Sequence, residues 1–83
     1  MRLLYFAWVR QSLGKGEETL AVPETVTTVA ALMAFLTGLG PAYAAVFADP
    51  RRLRAAVNQC HARIEDPVGD ADEVAFFPPV TGG

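Results

Sequence analysis

Cysteine is almost missing from this chain. Cys60 stands alone among 83 residues, so no internal disulfide framework can form, whereas secreted domains this small usually carry several bridges. The composition therefore predicts a reducing, cytoplasmic setting. Charge is sparse too. Charged residues make up 19%, and seven basic against nine acidic side chains give a net charge of −2. A nucleic-acid-binding domain of this size would carry a basic face; Arg51, Arg52 and Arg54 are the only cluster, so nucleic acid is not an expected partner. No apolar run approaches the ~18 residues that a membrane span needs, and no membrane partner is expected. The apolar opening Leu3–Val9 contains Tyr5 and Trp8, ends at Arg10 and is followed by no small-residue cleavage site, so it reads as mature structure. Histidine occurs once, as His61, and cannot make a metal site alone. Asp66, Asp70, Asp72 and Glu73 lack the ligand spacing and glycine of a calcium loop. No metal is expected. Gly14-Lys15-Gly16 lacks the interval and the Lys-Ser/Thr ending of a P-loop.

What is present is apolar. Hydrophobic residues reach 52%, enough for one economical core in a domain that buries roughly 60–65% of its unfolded surface. The segment Arg2–Arg10 has no Gly or Pro and is too short for a firm helix, so it reads as a strand with faces Leu3, Tyr5, Ala7, Val9 and Leu4, Phe6, Trp8. After the glycines 14 and 16, whose turn favours positive φ, Glu18–Val22 reads as its hairpin partner. Thr27 or Thr28 sits at a helix N-cap position. Val29, Leu32, Met33 and Leu36 then recur at helical spacing until Gly38, Gly40 and Pro41 stop the helix. Tyr43, Val46 and Phe47 keep helical spacing in a piece too short to assign. Leu53–Asn58, Cys60–Glu65 and Glu73–Phe77 read as three further strands, the last ended by Pro78 and Pro79.

This order predicts an α+β fold, a mixed sheet of four to five strands with one main helix packed on one face. The first and last strands are the most hydrophobic, so they belong side by side in the middle. A helical crossover makes them parallel. That is the β-grasp plan of ubiquitin, here expected over residues 1–78, with 79–83 as a flexible tail.

The tail ends in Gly82-Gly83. A bland account is a frayed end, but a stiff Pro-Pro spacer directly follows an apolar strand. From Pro78 to Gly83 five residue steps reach roughly 16–18 Å, enough to enter another protein's active site. Glycines without Cβ thread a narrow channel that a side chain would block.

The stretch Asp72-Glu73-Val74-Ala75-Phe76-Phe77-Pro78-Pro79-Val80-Thr81-Gly82-Gly83 resembles the C-terminal motif of the small, sulfur-carrying subunits of molybdopterin synthases. The likeness extends to Phe6-Ala7, Val9-Arg10, Thr28-Val29 and Ala56-Val57-Asn58-Gln59; residues 38–52 follow no shared pattern, and His61 replaces an apolar residue. The resemblance implies that Gly83 is adenylated by a ubiquitin-activating-type enzyme, converted to a thiocarboxylate by a sulfur donor protein, and discharged onto cyclic pyranopterin monophosphate. Discharge would take place inside the large synthase subunit, in a heterotetramer. Pro79, Val80, Thr81 and Gly82 would form the inserted tail. The chain itself would bind no cofactor, because ATP would be used by the activating enzyme. It would be a sulfur-donor subunit rather than an enzyme alone. A thiamine-pathway sulfur carrier, a ubiquitin-like protein modifier and a plain β-grasp interaction domain remain as alternatives.

Cys60 forms no evident dyad; a free cysteine is more often a small buried hydrophobe. His61 reads as a surface or interface residue. If Leu3, Tyr5, Ala7, Val9, Val74 and Phe76 face the helix, then Phe6, Trp8 and Phe77 lie on the helix-free face as an aromatic docking patch. The competing assignment puts these aromatics in the core. Arg10, at the end of the first strand, would pair with an acidic group on the activating enzyme or remain a solvated charge.

Overall fold

The structure is a computed structural model, described over residues 1–79; Val80, Thr81, Gly82 and Gly83, which hold most of the expected tail, lie outside the described residues. Its five strands are β1 (Arg2–Tyr5), β2 (Glu17–Thr19), β3 (Arg54–Val57), β4 (Cys60–Ala62) and β5 (Glu73–Phe77). They form one mixed sheet in the order β2-β1-β5-β3-β4. β1 and β5 run parallel, with Leu3 opposite Val74 and Tyr5 opposite Phe76. The other pairs are antiparallel. This is the expected β-grasp, with the two apolar terminal strands adjacent and β5 at the centre.

The expected first strand stops early. β1 ends at Tyr5, and Ala7 takes φ 55°, a backbone turn that no strand accommodates. A short helix, α1 (Trp8–Leu13), follows and is closed by Gly14 at φ 75°, whose N–H donates to the Arg10 carbonyl at 2.9 Å. Gly14 thus supplies the left-handed C-cap that other residues adopt at a cost; Gly16 needs no such conformation. The hairpin partner is Glu17–Thr19 rather than Glu18–Val22. α1 is inserted between the two strands because Val9, although its segment leaves the sheet, still buries completely in the core.

The main helix, α2 (Val29–Thr37), is as the pattern predicts. Thr28 caps it, its Oγ1 accepting from the Ala31 N–H at 3.1 Å, and Val29, Leu32, Met33 and Leu36 form the buried stripe. A second helix on the same side, α3 (Pro41–Phe47), starts at a proline well suited to a first helical position and buries Val46 and Phe47. A 3-10 turn at Pro50–Arg52 leads into β3. The β3–β4 hairpin reverses through Asn58 and Gln59, both at positive φ (51° and 70°), as tight hairpin turns favour. Asn58 also ties this turn to β5: its side-chain oxygen accepts from the Glu73 N–H and its amide donates to Asp72, each at 3.0 Å.

The core lies between the sheet and the helices. Leu3, Tyr5, Val74 and Phe76 from the central strands meet Val9, Val29, Leu32, Leu36 and Phe47, all at most 2% exposed. The Phe47 ring stands edge-on to Phe76, with centroids 5.0 Å apart at 76°. The helix-facing parity holds for Leu3, Tyr5, Val74 and Phe76. Ala7 is exposed instead, since its turn carries it off the sheet.

Candidate functional site

Strand alternation sends every second residue of β1, β5, β3 and β4 to the face that carries no helix. The register aligns Leu4 with Ala75, Ala75 with Ala56, and Ala56 with His61 across that face. Phe77 lies in the same layer opposite Arg54. Phe6 extends β1 by one residue, its N–H donating to the Phe76 carbonyl at 3.1 Å, and its side chain is 49% exposed. The Phe77 ring is half-buried and meets His61 edge-on, with centroids 5.6 Å apart. The result is an apolar band, Phe6, Leu4, Ala75, Phe77, Ala56 and His61, with the charged Arg2, Glu17, Glu73 and Arg54 around it. β5 carries this band to Pro78 and Pro79, where the chain heads toward Gly82-Gly83.

Two of the four expected interface residues take other places. Trp8 is not on this face. The Ala7 turn puts it in α1, where its indole packs against the core and the Arg52 guanidinium covers it at 4.6 Å from the ring. Arg10 does not end a strand; it sits in α1, exposed. It nevertheless returns to the candidate site, because Arg10 and Phe6 line one recess of about 340 Å³ together with Leu4 and Glu17. Gly16 makes room for it: a Cβ there would stand 3.3 Å from the Arg10 guanidinium. Phe6 and Arg10 thus share a recess, Phe77 lies on the helix-free face beside His61, and Trp8 lies in α1 against the core. Leu4, Ala56 and His61 complete the patch, and the alternation of their strands was the signal for them.

A polar cluster that the sequence pattern did not reveal braces the opposite side. Glu18 of β2 points to the helix side, where its Oε2 accepts from the Tyr5 and Tyr43 hydroxyls at 2.7 Å each and its Oε1 from Lys15 at 3.2 Å. Burial by itself would raise the Glu18 carboxyl, but the hydrogen bonds from Tyr43, Tyr5 and Lys15 outweigh it and hold the group below the usual carboxylate range. Burial, then the Glu18 carboxylate, push the Tyr5 hydroxyl far above the ordinary tyrosine value. The arrangement pins β2 to α3.

Cys60 departs from its expected burial. It is exposed, because β4 is a short edge strand with no neighbour on its outer side among the described residues. Among the described residues no group of three His, Cys, Asp or Glu side chains is placed to hold a metal ion, and no helix is long and apolar enough to cross a membrane.

A β-grasp domain with an apolar helix-free face running into a Pro-Pro-led Gly-Gly end defines a ubiquitin-like class of small protein. Within it, the model of the ThiS family matches residues 3–83, and the chain belongs to that family. It is 40% identical over 83 residues, all of this chain and 99% of the relative, to the molybdopterin synthase sulfur carrier subunit of Escherichia coli. Identity to the protein of the same name from Haemophilus influenzae is 32%, over 100% of this chain and 99% of the relative. Among solved structures, SAMP1 from Haloferax volcanii superposes with a TM-score of 0.76 at 28% identity, covering 100% of this chain and 98% of that one.

Proposed function

We propose that the chain is a sulfur carrier of molybdopterin synthesis, acting as the small subunit of a molybdopterin synthase. The observation that carries this reading is the end-to-end match, at 40% identity, to a sulfur carrier subunit of that enzyme, with Gly83 at the terminus of the shared motif. A free carboxylate is a poor acyl donor, because its charge is delocalised and its oxygen leaves badly. A ubiquitin-activating-type adenylyltransferase transfers AMP from ATP to the Gly83 carboxylate and releases pyrophosphate. A sulfur donor protein then supplies the sulfur that displaces AMP, and Gly83 becomes a thiocarboxylate. In the large subunit, the thiocarboxylate sulfur bonds to cyclic pyranopterin monophosphate, water then cleaves the acyl–sulfur bond, and the carrier leaves as the carboxylate. Two deliveries build the dithiolene. ATP is bound by the activating enzyme, and this chain holds no cofactor.

Each partner uses a different part of the molecule. The band of Phe6, Leu4 and Phe77 docks on the large subunit, Arg10 pairs with an acidic group on the activating enzyme, and Pro79, Val80, Thr81 and Gly82 lead Gly83 into the active site. Two carriers and two large subunits form the heterotetramer, in the cytoplasm. The test is intact-mass measurement after incubation with ATP, the activating enzyme and a sulfur donor. The expected gain is the difference between one sulfur and one oxygen, confined to the C-terminal peptide. No gain with the cognate enzyme overturns the proposal.

The similarity to SAMP1, a protein named as a small archaeal modifier, favours a second reading, in which the activated Gly83 forms isopeptide bonds with lysines. Adducts of this chain on cellular proteins, seen as gel shifts that require Gly83, would mark that activity.

A further inference from the structure

The two ends of the helix-free face differ in how their charges are met. At the start of β5, Arg2 is answered within the chain, its guanidinium 2.8 Å from the Glu17 carboxylate and 3.8 Å from that of Glu73. The other end, where β5 finishes at Phe77, has no such balance. Arg54 of β3 stands directly opposite Phe77 and is exposed. Among the described residues no carboxylate lies within ion-pair distance of it, and its guanidinium donates to the preceding Leu53 carbonyl at 3.0 Å. His61 reaches the same corner from β4 with an exposed ring that stands edge-on to Phe77. Its ring nitrogens take part in no hydrogen bond among the described residues.

These two side chains flank Phe77 on the β3–β4 side, whereas Phe6 lies on the β1 side. A face of Phe6, Leu4, Phe77 and alanines alone would accept any apolar surface of matching shape. Arg54 and His61 change that. Docking over Phe77 strips water from the guanidinium and from the imidazole N–H beside it. Each then weakens the complex unless the partner returns a hydrogen bond. Discrimination between partners comes from such penalties as much as from new attraction. Phe77 leads straight into Pro78 and Pro79, so this contact lies beside the chain that carries Gly83 into the partner.

We propose that Arg54 and His61 are the residues by which this chain, as a sulfur carrier, selects its large subunit, an assignment that rests on that carrier role. The selected partner encloses Phe77 in an apolar pocket, sets a carboxylate against Arg54 and places a hydrogen-bond acceptor against His61. The planar fork of arginine suits a carboxylate in two-point contact, which fixes the angle of the docked domain about Phe77 as well as the identity of the partner. A large subunit with a purely apolar or a basic surface at this corner is rejected. Neither residue touches a reacting atom. They decide which partner is bound and leave the sulfur chemistry to the tail and the large subunit.

The test is calorimetric titration of the full chain with the purified large subunit encoded by the same genome, beside thermal melts of each variant. Arg54→Ala and His61→Leu should each weaken binding by about tenfold, and Arg54→Glu by about a hundredfold or more. Melting temperatures should stay close to that of the wild type, because both side chains are exposed. His61→Gln keeps an N–H donor and should retain most of the affinity. Changing the surface carboxylates of the large subunit to lysine, one at a time, should find one that restores binding of Arg54→Glu and weakens binding of the wild type. Undiminished binding by Arg54→Ala or by His61→Leu would overturn the proposal, as would the failure of every such carboxylate change to rescue Arg54→Glu. A wild-type chain that does not bind the large subunit at all overturns the carrier reading and this assignment with it, a result distinct from any difference among the variants.

Discussion

The His61 ring stands edge-on to Phe77, with centroids 5.6 Å apart and planes at 78°. β4 and β5 are not neighbours; β3 separates them, and only its small Ala56 lets the two rings meet above the sheet. This contact extends the apolar band from the centre of the sheet to its edge, and it makes Phe77 the middle of the docking face.

Phe77→Ala and Phe6→Ala should therefore weaken binding to the large subunit, each by roughly 1.5–3 kcal/mol, the worth of a buried aromatic. Phe76→Ala removes a fully buried ring and should cost on the order of 3–5 kcal/mol of stability. Calorimetric titration beside denaturant unfolding separates the two. Should Phe76→Ala prove the milder for folding and the stronger for binding, the assignment of faces is reversed.

Arg10 offers a quieter test. In Gly16→Ala the new Cβ would stand 3.3 Å from the guanidinium, so the flexible end of Arg10 must move while the backbone keeps an ordinary conformation. Stability should change by less than about 1 kcal/mol, and affinity for the large subunit or the activating enzyme should fall toward that of Arg10→Ala. Unaltered affinity in both variants would remove Arg10 from the interface.

Acid should loosen the clamp on β2. The folded-state Glu18 carboxyl lies below its ordinary value of 4.5, so near and below that value the unfolded chain binds the extra proton more readily. The contribution is complete above the ordinary value and disappears as pH falls through the lowered folded value. Melting temperature followed through this range should drop for the wild type and less steeply for Glu18→Gln. Parallel curves for the two proteins would refute the role given to Glu18.

Ala7 carries the conformation at φ 55°, ψ −133° that turns β1 into α1. Residues with a Cβ hold such backbone at a cost of order 1–3 kcal/mol. Ala7→Gly relieves that strain and should raise stability by about 1 kcal/mol, read as a higher denaturant midpoint with an unchanged slope.

The last test separates tail from fold. Deleting Gly82-Gly83, or adding one residue after Gly83, should leave the melting temperature nearly unchanged. Sulfur transfer should vanish in both. Misplacing a reacting atom by ~1 Å can cost about a hundredfold in rate, and one residue adds ~3.3 Å. A lengthened chain that accepts and passes sulfur at the wild-type rate would refute the mechanism.

Local signals carried the fold. The α2 stripe, its Thr28 cap and β5 with its proline stop were legible because each depends on neighbours a few residues away. The adjacency of β1 and β5 followed from their apolar character and their parallel sense from the helical crossover, and the family motif lies in contiguous residues. Other features depended on contacts distant along the chain. Whether Trp8 and Val9 continue a strand or enter a helix is undecided by their own sequence, since both conformations bury Val9; the space left between α3 and the sheet selects the helix and moves Trp8 from the docking face onto the core. Arg10 regained that face only because Gly16 lies against it. The Glu18 cluster joins β1, β2 and α3, residues far apart along the chain. Periodicity records which residues turn inward, whereas only packing decides which of them meet.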